Sequence, residues 1–354
     1  MQNITQLIEL LKTDSIFKSS NRSPNKSLKG FPSISSNNDN KSILLFIMIK
    51  LKLFFNNVNI KYADDKTKSK YEYNEDMIPI NLFLRHLKHV IVDTEEEADY
   101  ILFNMYGNIK PKHFIKNSGV YSKKVIVIWI TDKEDPIDDS QFIIFRTSLH
   151  KSTKKPNEYS FPWCTPYNWE RNYYSIDNKP FENVYTNSPT IGFCGQVNSV
   201  TYGGKIRNDT MNCISKRDYI DSTFIRRDAF IRSYSGKEQQ QYRGIDYIQN
   251  LKFNMFSLAI RGGGNWSLRF FEIMAYGRIP VLLDTDCVLP FENLIDWNEV
   301  IIMSSDVNQL CLKMNQWHSK GSDFIFEKQN QCRYIWEEYL SLEGFGKNII
   351  NIVR

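Results

Sequence analysis

The stretch from Ser257 to Asp284 carries the residue types that hold phosphate: Ser-Leu-Ala-Ile-Arg-Gly-Gly-Gly-Asn-Trp-Ser-Leu-Arg-Phe-Phe-Glu-Ile-Met-Ala-Tyr-Gly-Arg-Ile-Pro-Val-Leu-Leu-Asp. It reads strand, glycine loop, helix, glycine stop, strand. Gly262, Gly263 and Gly264 let the backbone approach a ligand closely, and Ser267 stands where it can cap a helix whose N-terminal N–H groups and dipole favour an anion. Gly277 supplies a left-handed stop, and Pro280 bars the helix from continuing. Arg269 and Glu272, three apart, share one helix face. Two chemistries fit this pair. Arg269 can neutralise a diphosphate while Glu272 accepts hydrogen bonds from ribose hydroxyls, or the two can form an ordinary surface ion pair worth about 0.3 kcal/mol.

These side chains need a framework. Short apolar runs rich in β-branched and aromatic residues predict strands within Ile43–Phe55 and at Ala98–Met105, Lys124–Ile130 and Gln141–Phe145, with a helix over Pro79–His89. Continuous apolar strands separated by polar or helical segments predict a parallel sheet covered on both faces. A Pro-, Asn-, Tyr- and Trp-rich stretch from Lys151 to Pro189 has the composition of a linker. A second series follows: strand Thr190–Cys194, helix Ile206–Ser215, strand Phe224–Phe230, helix Tyr242–Asn250, strand Met255–Ile260, helix Leu268–Tyr276, strand Pro280–Leu283 and a helix over Asp323–Tyr339. The expected organisation is a flexible segment at 1–40 and two Rossmann-like domains, at 41–185 and 186–354. Two such halves place a ligand in the crevice at the carboxyl ends of their strands.

Composition narrows the function. The 354 residues are 42% hydrophobic and 14% aromatic, which excludes a disordered chain. A net charge of +5, from 45 Lys and Arg against 40 Asp and Glu, is too mild for a polybasic nucleic-acid coat, and no nucleic-acid motif is present. The basic runs Lys66–Lys70 and Lys151–Lys155 read as solvated loops that could touch a membrane surface or an anionic acceptor. Six cysteines without a C-x-x-C pair indicate neither a zinc site nor a disulfide framework, and a reducing, cytoplasmic compartment is the simpler expectation. The N-terminal residues lack a signal-peptide pattern, and the Ile43–Phe55 run falls short of the ~20 residues of a spanning helix.

The sequence resembles the exostosin-type transferases of glycosyltransferase family 47. The resemblance rests on Ser267-x-Arg269-Phe-x-Glu272, Ile279-Pro-Val-Leu-Leu283, Leu289-Pro-Phe291 and Ile295-Asp-Trp297, in the family's order. Gly192-Phe-Cys-Gly195 followed by Arg207 resembles its opening, and Gln331-Cys-Arg-Tyr-Ile-Trp-Glu-Glu-Tyr339 its closing helix. The likeness covers Thr190 to Tyr339.

The resemblance implies a GT-B fold, two Rossmann-like domains facing a cleft, and transfer of a sugar from a nucleoside diphosphate sugar, expected to be a UDP-sugar, to a glycan hydroxyl. Arg269 and Glu272 are implied as diphosphate and ribose contacts, with Arg207 as a second cation. Ser267 and the glycine loop, with Gly263 and Asn265, are implied as the phosphate cradle, flanked by Gly195 and by Arg261 as a weaker candidate. The expected mechanism is inverting and independent of a metal, with no cofactor beyond the donor. Asp284-Thr-Asp286 imitates a D-x-D metal site but is expected to be a plain turn. An inverting enzyme needs a base from the first domain, and Asp132, Glu134, Asp135 and His150 follow predicted strands at their carboxyl ends. The animal members' membrane anchor and second catalytic module are absent from this pattern, so their acceptor and compartment are not carried over. Two alternatives stay open: a catalytically silent nucleotide- or glycan-binding member that supports a partner, and a GDP-fucose-type transferase, which Ala98–Met105 and Val125–Pro136 resemble.

Overall fold

The computed structural model describes residues 53–55, 99–106, 110–111, 124–137, 141–162, 180–198, 201–229 and 237–353. All of these lie in one compact unit, Leu51–Arg354. Two five-stranded sheets, parallel throughout, organise it. In the first, β1 (Leu53–Phe55), β2 (Tyr100–Tyr106), β3 (Lys124–Ile130), β4 (Phe142–Arg146) and β5 (Glu158–Ser160) lie side by side in chain order. The second contains β6 (Thr190–Gln196), β7 (Asp221–Arg227), β8 (Phe256–Ala259), β9 (Ile279–Leu283) and β10 (Ile302–Ser304) in the order β10-β9-β8-β6-β7. That order reverses between β6 and β8. Parallel α/β sheets bind ligands beside such a reversal, at the carboxyl ends of the strands.

The helices of the second half are α1 (Tyr202–Ile214), α2 (Lys237–Phe253), α3 (Leu268–Ala275), α4 (Trp297–Val300), α5 (Val307–His318), α6 (Ser322–Ile335) and α7 (Leu342–Val353), with a π-helical turn at Trp336–Leu340. β3, β8 and β9 are buried along their whole described length, which is why they read as unbroken apolar runs. The last helix returns to the first sheet: the Phe345 ring meets Phe161 at 5.1 Å and Phe145 at 5.5 Å, edge to face. The architecture is the expected α/β one, with two parallel sheets.

The structure corrects the sequence reading in several places. The expected linker over 151–189 contains β5, whose Glu158 is fully buried against Arg146, Oε1 lying 3.3 Å from Nε. β7 begins at Asp221 and ends at Arg227, earlier than expected, because its half-exposed alternation hid its first residues. The helix expected over Asp323–Tyr339 is α6 followed by the π-helical turn, and α4, β10, α5 and α7 were not anticipated. Gly277 does adopt a left-handed φ of +66° and ends α3 as expected. The 1–40 segment, the run before Leu53, the Pro79–His89 helix, Lys66–Lys70 and Cys164 lie outside the described residues. No helix among the described residues is long and apolar enough to cross a membrane.

Candidate donor site and the seam beside it

Around the β6–β8 switch, the chain brings two arginines to one aromatic ring. Arg269, in the first turn of α3, lies over Phe193 at 4.3 Å and over Tyr247 at 4.8 Å, and Arg207 of α1 lies over Phe193 at 5.8 Å. Arg269 Nη2 donates to the Cys194 carbonyl, while Arg207 donates from Nη1 to the Gln196 carbonyl at 3.0 Å and from Nη2 to the Ile260 carbonyl at 3.3 Å. Each guanidinium keeps one buried nitrogen without a hydrogen-bond partner, Arg269 Nη1 and Arg207 Nε. Burial, and then the neighbouring charge of Arg269, lower the Arg207 pKa to about 10. Two cations held this close favour an anion between them.

Glycines make the room. A Cβ at Gly195 would come within 2.7 Å of Arg269 Nη2, and one at Gly203 within 2.2 Å of the Gly262 carbonyl oxygen. The start of α1 therefore packs directly on the glycine loop. Its N-cap is Thr201, whose Oγ1 accepts from the Gly204 N–H at 3.1 Å.

Arg269 and Glu272 are neighbours in sequence but form no ion pair within 4.0 Å among the described residues, so the surface-pair reading is corrected. Instead the Tyr247 hydroxyl of α2 donates to Glu272 Oε2. Burial raises the Glu272 pKa against the lowering effects of Tyr247 and Arg269. The same burial, with Glu272 opposite, pushes the Tyr247 phenol well above its ordinary value. Ser267 occupies the N-cap position of α3 with extended backbone, yet its side chain makes no capping bond. The first-turn N–H groups of α3 therefore gain nothing from that hydroxyl.

The glycine loop also forms a seam with the first sheet. The Trp266 indole donates to Asp132 Oδ1 at 2.7 Å, and Asp132 Oδ2 lies 3.1 Å from where a Gly263 Cβ would stand. Arg261 Nη2 pairs with Glu134 Oε1, and Glu134 Oε2 meets His150 Nε2 at 2.6 Å. Asn265 Nδ2 faces His150 Nδ1 at 3.1 Å, and Asp286 Oδ2 lies 3.5 Å from the same ring nitrogen. Although burial raises the Glu134 pKa, the hydrogen bonds from His150 and Arg261 outweigh it and hold the carboxyl below its ordinary value.

Asn265 is buried and spends its side chain inside the protein: Oδ1 accepts from Thr285 Oγ1 at 2.6 Å, and Nδ2 donates to the Leu149 carbonyl at 3.1 Å. It joins the seam, whereas Gly195, Arg207, Arg269 and Glu272 gather at the switch point and Gly263 touches Asp132. Arg261 stands between the two groups, also lying over the Tyr202 ring at 5.0 Å.

Elements behind the seam fix its first-sheet side. Thr147 Oγ1 donates to the Thr131 carbonyl at 2.6 Å and accepts from the Thr131 N–H at 3.0 Å. Arg146 Nη1 donates to the Asp135 carbonyl at 3.0 Å. Asp284-Thr-Asp286 is a turn as expected, but a tethered one. Lys151 Nζ donates to Asp284 Oδ2 at 2.9 Å, Ser152 Oγ donates to Asp286 Oδ2 at 2.5 Å, and Asp286 has a φ of +68°. The Lys151–Lys155 run is likewise partly engaged, with Lys154 Nζ 3.4 Å from Glu292 Oε1. Sequence reasoning missed Tyr247, Trp266 and Thr285. The only signal for them was an aromatic or hydroxyl residue next to a motif.

Comparison with known proteins places this switch-point region in a family context. Residues 193–311 match the Exostosin GT47 domain.

That match falls inside the Thr190–Tyr339 likeness, from β6 into α5. The sequence is 30% identical to exostosin-1 of Drosophila melanogaster over 158 residues, which is 43% of this chain and 20% of that protein. It is 31% identical to exostosin-1c of Danio rerio over 104 residues, 29% of this chain and 14% of that protein. The chain thus spans about a fifth or less of the length of these relatives. Among solved structures, that of TarM is similar at 11% identity with a TM-score of 0.40, covering 77% of this chain and 58% of that one.

Proposed function

We propose that the chain is a glycosyltransferase that moves a sugar from a nucleoside diphosphate sugar, a UDP-sugar, to a glycan hydroxyl, with inversion and without a metal at the diphosphate. The observation that carries this reading is the arginine pair on Phe193, each member with a buried unpartnered nitrogen, at the switch point of an exostosin-like sheet. Charge that develops on a departing diphosphate is stabilised by fixed cations in a water-poor site. Arg207 and Arg269 serve that role, and Glu272, oriented by Tyr247, takes the ribose hydroxyls.

Among the acid–base candidates Asp132 fits the base best. Trp266 holds one of its oxygens while the other faces Gly263. Glu134 and His150 are engaged with each other and with Arg261 and Asn265, which suits them to holding the seam. That engagement also favours a second reading, a silent member that binds nucleotide and supports a partner.

Calorimetric binding of UDP, GDP and CMP to the wild type and to Arg269→Gln, with and without a chelator, tests the donor site, and UDP release from UDP-sugars tests turnover. The proposal expects UDP binding that survives the chelator, weakens at least tenfold in Arg269→Gln, and accompanies UDP release that Asp132→Asn abolishes. Binding without release for any UDP-sugar and glycan acceptor favours the silent reading. Absence of nucleotide binding to folded protein overturns both, and a preference for GDP selects the fucose-type alternative.

A further inference from the structure

Away from the switch point, two cysteines on different helices meet at one guanidinium. Cys213 lies near the C-terminal end of α1, and its Sγ is 3.9 Å from Asn308 Oδ1 on α5. Arg217, just past α1, donates from Nη2 to the same oxygen at 2.5 Å and reaches the thiols of both Cys213 and Cys311. Its Nε is buried without a hydrogen-bond partner. Asn308 and Cys311 are three apart on α5 and so share the face that Cys213 meets. Cys213 is half-buried and Cys311 fully buried, which gives one thiol open to a reagent and one behind it.

A guanidinium beside a thiol favours the thiolate, the form that attacks disulfides. Burial raises the Cys311 thiol, and Arg217 works against that rise. Cys194 also has guanidiniums beside it, those of Arg269 and Arg227, but it is buried and no second described cysteine shares them. Cys194, Cys287 and Cys332 are buried with their thiols pushed up by burial, Cys287 to about 12.

We propose that Cys213 and Cys311 form a redox site, a dithiol that glutathione disulfide converts to a bridge between α1 and α5. The Cys213 thiolate attacks one sulfur of the oxidant, making a mixed disulfide and releasing one glutathione thiolate, which takes up the Cys213 proton. Cys311, losing its proton, then attacks the Cys213 sulfur and expels the second glutathione, which takes that proton. Two protein thiols are oxidised and one disulfide is reduced to two glutathiones. The bridge fastens the helix that carries Arg207 and begins against the glycine loop to a helix on the far side of it.

The test incubates the full chain with reduced or oxidised glutathione, alkylates it, denatures it, and counts thiols by intact mass before peptide mapping. The expected result is loss of two of the six thiols with the Cys213 and Cys311 peptides joined. Cys213→Ser then keeps all its remaining thiols, and Cys311→Ala holds a glutathione adduct on Cys213. Because a change at buried Cys311 can disturb folding, the wild-type peptide map decides by itself. Retention of all six thiols, a bridge between other cysteines, or a wild-type reaction that stops at a glutathione adduct overturns the proposal.

Discussion

Replacing Glu158 by Gln tests how the first sheet aims its loop at the seam. Arg146 and Glu158 have side-chain exposures of 1% and 0%, and the Arg146 guanidinium also holds the Asp135 carbonyl and lies 5.7 Å over Trp129. Burial already lowers the Arg146 pKa, with Glu158 the largest opposing influence. Removing one partner of a buried ion pair leaves an uncompensated charge, which typically costs about 3–5 kcal/mol. Here the Asp135 carbonyl and the Trp129 ring still face the guanidinium, so the lower end, about 3 kcal/mol, is expected. With a urea slope of about 3 kcal/mol/M, that moves the midpoint down by about 1 M. The double replacement Arg146→Met with Glu158→Leu removes both charges and should recover most of the loss, since well-packed apolar pairs often match a buried ion pair. Urea unfolding of the wild type, Arg146→Met, Glu158→Leu and the double variant measures the coupling as a closed cycle, with Glu158→Gln measured beside it. A cost below about 1 kcal/mol for Glu158→Gln, or a double variant as unstable as that single one, would refute the reasoning.

Three shorter predictions concern the second half. Thr201→Ala should lower stability by about 1 kcal/mol because its hydroxyl caps α1, whereas Ser267→Ala should stay within about 0.5 kcal/mol because its hydroxyl caps nothing, both read from urea midpoints. Gly203→Ala should cost about 1–3 kcal/mol and weaken UDP binding, since the new methyl would stand 2.2 Å from the Gly262 carbonyl oxygen. Glu272 has a folded pKa above its ordinary value of 4.5, so the folded chain binds the extra proton and stability falls as pH rises from 4.5 through the folded value. Glu272→Gln, which can still accept from Tyr247, should remove that fall. Its midpoint relative to the wild type should climb across this window, and a pH-independent difference would count against it.

The parallel sheets were legible because burial on both faces leaves unbroken apolar strands, as in Lys124–Ile130, where expected and observed limits coincide. β5 was not, because three residues containing a charged Glu158 look like loop until Arg146 is known to lie beside it. α5 did carry a signal: Asp306, which caps it, followed by Leu310, Cys311 and Met314 at helical spacing. In the site, residue types and spacing singled out Arg269 and Glu272, and the family resemblance added Arg207; the three meet at the β6–β8 switch. Their partners were beyond reach. Whether Glu272 pairs with Arg269 one turn away or with Tyr247 on another helix is settled by how α2 packs, and no local pattern encodes that. The resemblance implied Asn265 as part of a phosphate cradle, but its amide is engaged by Leu149, His150 and Thr285.

The three glycines are therefore not interchangeable. Gly262 faces Arg207, and a methyl there would only graze the guanidinium at 3.4 Å, on the side where an anion would sit. Gly264 faces the other way, and a methyl there would stand within 2.9 Å of the Asp132 backbone, Asp132 Oδ1 and Ser148 Oγ. Between them, Gly263 lets Asp132 approach the loop backbone. One short loop thus serves two neighbours: Arg207 at the switch point lies against Gly262, and the first sheet needs backbone thin enough for Asp132 to reach Gly263 and Gly264. Space demands glycine most at Gly264, where Asp132 and Ser148 already fill the place of a Cβ, and least at Gly262.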